Sequence, residues 1–167
     1  MRNFFAAAAF LTFAAVLGAA SNPKATGSVT WVNPYSHQQV QTTFNALATT
    51  PAGLAAKGSL MYSDDSITYS MDVQYLKVDG KDAWFAGQIT ATNSTDDCCT
   101  VGTWVVYRVQ DNGEPGVNSD KIWGFSTKQT GDPAIAAVMV RDKLDLNMGE
   151  PYTKMGMLIT AGNVQVH

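Results

Sequence analysis

The chain has 167 residues, 46% of them apolar and 15% charged. That length suits one domain rather than two large ones, and the apolar share excludes an ordinary disordered chain. A net charge of −3 gives no global attraction to nucleic acid or to an anionic membrane.

The first twenty residues distort those figures. Met1-Arg2-Asn3 is a short positive segment, Phe4 to Leu17 an almost unbroken apolar run, and Gly18-Ala19-Ala20 a trio of small residues. The pattern predicts a secretory signal peptide over residues 1–20, cleaved after Ala20. The apolar run is shorter than the roughly 20 residues that span a bilayer, so no membrane span is expected in the mature form. The remaining 147 residues hold 60 apolar side chains, 10 basic and 14 acidic groups and all four tryptophans. A secreted, extracellular protein is expected, with residues 21–25 as a loose N-terminus and 26–167 as a single β domain.

From there the pattern is one of strands. Residues 26–32 carry Val29 and Trp31 with period two. Residues 40–48 alternate, with Val40, Thr42, Phe44, Ala46 and Ala48 on one face. Thr50-Pro51-Ala52-Gly53 is a break. Strands at 57–62 and 67–78 flank the polar turn Ser63-Asp64-Asp65-Ser66, and Ile67, Tyr69, Met71, Val73 and Tyr75 share a face in the second. Asp79-Gly80 is a hairpin signal of type I′, leading into a strand at 82–92. After Asn93–Cys99, residues 100–110 are the most β-prone stretch, with Val105, Tyr107 and Val109 on one side. A Gly/Pro/Asn loop at 111–120 precedes strands at 121–127 and 155–166. Residues 134–145 read as either a short helix or a strand, because Ala134-Ile135-Ala136-Ala137 suits the first and Val138-Met139-Val140 the second. Seven or eight short antiparallel strands make an all-β barrel or sandwich.

Several of these residues resemble a known group. Val78, Gly80, Ala83 and Gly87, then Val109-Gln110-Asp111-Asn112-Gly113-Glu114-Pro115-Gly116 with Asp120, and a closing Gly162-Asn163 and Val166-His167 resemble a family of small secreted β-rich proteins of uncharacterised activity. The resemblance implies a compact β domain and no particular chemistry. Members often carry a cysteine in the long strand before the hairpin, whereas Met71 to Leu76 has none.

Candidate sites follow from side-chain chemistry. Cys98 and Cys99 are the only cysteines, and the secretory route favours their oxidation to a vicinal disulfide. The strain of so small a ring argues against it, and the alternatives are two thiols or disulfides to another chain. Asn93-Ser94-Thr95 is a glycosylation sequon at Asn93. Asp111, Glu114, Asn118 and Asp120 place four oxygen donors in one loop, as Ca²⁺ would require, although turn chemistry around Glu114-Pro115-Gly116 accounts for the same residues. Asp72 faces away from Met71 and Val73, and would serve as an acid or base only if its face lined a barrel interior. No nucleophile elbow, zinc-spaced histidine pair or H-E-x-x-H occurs. Trp84, Trp104, Tyr69 and Tyr107, from an aromatic set that also holds Trp31, Tyr62, Tyr75 and Trp123, are the candidate ligand-binding residues, unless they are ordinary core. The expected function is non-enzymatic: binding a small apolar molecule or glycan, or serving as an extracellular interaction module. The alternative is a barrel enzyme of cyclase or isomerase type.

Overall fold

The computed structural model describes residues 21–126 and 132–167. The signal peptide expected over residues 1–20 lies outside the described residues, as does residue 127 of the strand expected at 121–127. Eight strands follow in order: β1 (Lys24–Val32), β2 (Gln39–Ala48), β3 (Ala56–Ser63), β4 (Thr68–Asp79), β5 (Asp82–Thr92), β6 (Trp104–Gln110), β7 (Lys121–Ser126) and β8 (Met157–Val166). Each pairs antiparallel with the next, and β8 pairs with β1, so the sheet closes into an up-and-down barrel. Between β7 and β8 lie helix α1 (Pro133–Arg141) and the single turn α2 (Tyr152–Met155). Of the all-β barrel or sandwich expected from the strand pattern, the barrel is observed, and the ambiguous 134–145 stretch is helical at its start.

Local chemistry explains the helix. The Asp132 side chain caps α1 by accepting the Ala134 amide at 2.8 Å, and Pro133 occupies the first helical position. Ala136 and Val140, four residues apart, are fully buried. They lie over the outside of the barrel, where Trp84, Ala86, Trp104, Val106 and Trp123 form a second core with Leu146. The Arg108 guanidinium lies 4.7 Å from the ring centre of Trp84 and 4.4 Å from that of Trp123. Its Nη2 sits 2.9 Å from Asp82 Oδ1.

The interior holds the other face of the same strands. Phe85 is fully buried and stacks against Phe44 at 5.2 Å and Tyr107 at 5.6 Å. Gly124 pairs with Tyr107 across β6 and β7, and a Cβ there would come within 2.9 Å of the Tyr107 ring. The glycine makes room for that ring.

The structure departs from the sequence reading in several places: β6 starts at Trp104 rather than residue 100, and β8 at Met157 rather than 155. Residues 24 and 25 are not a loose end: β1 begins at Lys24, whose amide donates to His167 O at 2.8 Å, and Ala25 is fully buried. Barrel closure onto the far end of the chain, invisible locally, orders them. The hairpin turn sits one residue later than expected. Asp79 pairs with Asp82, and only Gly80 of the two loop residues has positive φ, 59°, as in a II′ rather than a I′ turn. Finally, the register of β4 shifts between Val73 and Tyr75. That bulge turns Tyr75 to the outside, where it stacks on Trp104 at 5.5 Å, and puts Leu76 inside, so the expected single face is broken.

Candidate functional site: an aromatic pocket at one mouth of the barrel

The β1–β2, β3–β4 and β5–β6 loops share one end of the barrel; the β2–β3, β4–β5 and β6–β7 loops share the other. A cavity of about 650 Å³ opens at the first end. Its aromatic lining comprises Trp31, Tyr35, Tyr62, Tyr69 and Tyr107, with Val105, Ile67 and Met148 adding apolar wall. Strand alternation explains the convergence: Trp31 on β1, Tyr62 on β3, Tyr69 on β4 and Tyr107 on β6 are inward positions near the same rim.

The lining is ordered by its own contacts. The Tyr62 and Tyr69 rings stack at 4.8 Å and 4°, and Trp31 meets Tyr62 edge-on at 6.3 Å. Trp31 Nε1 donates to Thr42 Oγ1 at 3.0 Å, which satisfies both buried groups. The Tyr69 and Tyr107 hydroxyls hydrogen-bond to each other at 2.5 Å. Burial pushes the Tyr69 phenol well up, and Tyr107 beside it adds to the effect; burial likewise raises Tyr107, and Cys99 adds to it. Both therefore stay protonated across the neutral range.

One carboxylate reaches this lining. Asp64 Oδ2 accepts the Tyr62 hydroxyl at 2.7 Å, while Oδ1 accepts the amides of Ser66 at 2.8 Å and Ile67 at 2.7 Å. Burial alone would raise its pKa, but the Ser66 amide, the Tyr62 hydroxyl and the Ile67 amide outweigh it and hold the carboxyl below its usual value. The same pair raises Tyr62, after burial as the larger cause. Over the mouth, Tyr35 donates its hydroxyl to Met148 O, and the Met148 sulfur accepts the Gly124 amide at 3.4 Å.

The structure divides the expected ligand-binding set. Tyr69 and Tyr107 line the pocket, but Trp84 and Trp104 are buried under α1 on the opposite face of the sheet. The alternation that points Phe85 and Val105 inward points these indoles out. Sequence reasoning missed Asp64, whose place in a Ser-Asp-Asp-Ser turn concealed that it follows the inward Tyr62 by two residues. Trp31 and Tyr62 belonged to the wider aromatic set considered for a cavity but not to the four residues singled out. Asp72 is exposed on the barrel's outer surface.

Cys98 and Cys99 also line the pocket, and they are not joined as a disulfide, contrary to the vicinal ring expected. The chain makes ordinary turns there, with the Cys99 amide donating to Asp96 O at 2.9 Å. Adjacent Cα atoms stand about 3.8 Å apart, closer than disulfide geometry favours. Asn93 is exposed on a neighbouring loop, its Oδ1 accepting the Thr68 amide at 2.7 Å.

The Asp111–Asp120 loop lies at the opposite end and has another structural task. β7 and β8 share only two register pairs, Lys121 with Leu158 and Ile122 with Met157. Beyond them, the amides of Val164 and Val166 on β8 have no strand partner on that side. Asp120 Oδ2 accepts the Val164 amide at 2.9 Å, and Asp111 Oδ2 accepts that of Val166 at 3.1 Å. The other oxygens of these groups take the amides of Asn112 (2.8 Å) and Gly113 (2.9 Å). Glu114 Oε1 accepts from the Asn163 side chain at 2.5 Å, and Asn118 adopts φ 62°. The loop thus imitates a missing stretch of strand and closes the seam. Among the described residues, no group of three or more His, Cys, Asp and Glu side chains is arranged to hold a metal ion.

The fold and site define a closed eight-stranded antiparallel barrel with an aromatic pocket at one mouth. No protein-family model, curated protein or solved structure matches the chain.

Proposed function

We propose that the chain is a secreted, non-catalytic binding barrel that takes one small apolar molecule bearing a polar group into the mouth pocket. The observation that carries this reading is the cavity of about 650 Å³, whose walls combine stacked aromatic rings with a few converging polar groups. Pockets of a few hundred cubic ångströms with that mixture are the usual form of small-molecule sites. An eight-stranded barrel is wide enough to be filled at its waist and still hold one ligand at an end. Secretion rests on the export pattern of residues 1–20. A small molecule is favoured over a glycan because Tyr62 and Tyr69 stack on each other and bound the cavity, rather than offering a flat exposed platform.

The test is fluorescence titration with a neutral naphthalene dye. One saturable site is expected, with affinity at least about tenfold weaker in Ser66→Trp, which places an indole at the exposed rim. Absence of saturable binding, or binding indifferent to Ser66→Trp in a variant that melts normally, would overturn the reading.

A further inference from the structure

The chemical class of the ligand follows from the charges around this mouth. The described lining residues include one ionisable group of full negative charge, Asp64, and no lysine, arginine or histidine. Three of the loops at the rim repeat the bias, while the β7–β8 connection, which meets Tyr35 through Met148 and Tyr152, adds one charge of each sign in Glu150 and Lys154. Residues 33–38, 64–67 and 93–103 contain Asp64, Asp65, Asp96 and Asp97 and no lysine or arginine, with His37 the single basic side chain. Within the cavity, Trp31, Tyr35, Tyr62 and Tyr69 supply ring faces and edges beside that carboxylate. Aromatic rings attract a cation through their quadrupole, most strongly where water is excluded, and a nearby carboxylate adds direct Coulomb attraction. An anionic ligand would meet the opposite: an aspartate held in place by two backbone amides and no counter-charge to receive it.

We propose that the pocket is selective for an organic cation, a small amine or quaternary ammonium carried on an apolar body, with Asp64 as its counter-ion and Trp31 and the tyrosines as its cage. This rests on the mouth cavity being a ligand site. The bonds that Asp64 already makes do not neutralise it: its donors are two amides and a phenol, all uncharged. Its carboxyl is also held below its usual pKa, so at neutral pH it is anionic while an aliphatic amine is protonated.

Three probes of one shape test the proposal: benzylammonium, benzyl alcohol and benzoate, each titrated against the full mature chain by NMR at pH 7. Benzylammonium is expected to bind about tenfold more tightly than benzyl alcohol, with benzoate weakest. Asp64→Asn keeps an oxygen for the Ser66 and Ile67 amides and removes the charge. It should bring the amine-to-alcohol ratio near one. Tyr62→Phe keeps the charge and should keep the preference. An amine no tighter than the alcohol, or a preference that survives Asp64→Asn, overturns the cation proposal and leaves the pocket reading standing. Failure of all three probes to bind overturns the pocket reading and this proposal with it.

Discussion

Replacing Asp120 with alanine tests whether the Asp111–Asp120 loop works as a surrogate strand. Asp120 is fully buried, and its carboxylate accepts two backbone amides, from Asn112 on its own loop and from Val164 on β8. Hydrogen bonds to a carboxylate contribute about 1.5–3 kcal/mol each, and a buried donor left unpaired costs most. Val164 is fully buried, whereas Asn112 is exposed and regains water. The Val164 bond therefore dominates, at about 2–3 kcal/mol, with about 0.5–1 kcal/mol more from Asn112. The total of about 3 kcal/mol is a large part of the 5–15 kcal/mol by which a domain is usually stable. At roughly 2–4 °C per kcal/mol for a chain of this size, the melting temperature should fall by about 6–12 °C. Asp120→Asn keeps one acceptor and should lose about half as much. Calorimetry gives the stability change, and amide exchange at Val164 locates it, because that amide should lose protection while strand pairs on the far side of the barrel keep theirs. A loss under about 1 kcal/mol in Asp120→Ala, or unchanged Val164 exchange, would refute the surrogate-strand account.

Two further outcomes follow from the packing. Arg108→Ala should destabilise the chain by about 2–3 kcal/mol in chemical denaturation, since it removes contacts with Trp84 and Trp123 and the bond to Asp82. Arg108→Lys should recover only part of this, because a lysine cannot stack flat between two indoles; full recovery would mean that charge alone matters. Alkaline stability should be limited by the buried Tyr69 and Tyr107. Their phenols titrate higher when folded than when unfolded, so above pH 10 the unfolded chain holds fewer protons and stability falls as pH rises. Each phenol contributes a slope of about 1.4 kcal/mol per pH unit there. Urea denaturation of Tyr69→Phe/Tyr107→Phe between pH 9 and 11 should show the shallower slope, and an unchanged slope would contradict the burial argument.

The strand periodicities in 40–48, 67–73 and 82–92 determined an antiparallel β domain without help from the fold, because side-chain alternation is a local property of extended backbone. The Ser63–Ser66 turn likewise declared itself through its polar residues, and Gly80 marked a hairpin whose centre lay one residue further on. Three things depended on tertiary structure. Closure of β8 onto β1 ordered Lys24 and Ala25, a contact between the two ends of the described chain. The bulge at Val73–Tyr75 reversed the facing of β4, since a one-residue slip exchanges inside for outside. The aromatic set, uniform in composition, was divided into a pocket lining and an outer core by which face α1 covers. The two uses look alike in sequence because Trp84 and Tyr107 are both large, aromatic and on strands. Only the closed barrel distinguishes a ring that meets a cavity from one that meets a helix.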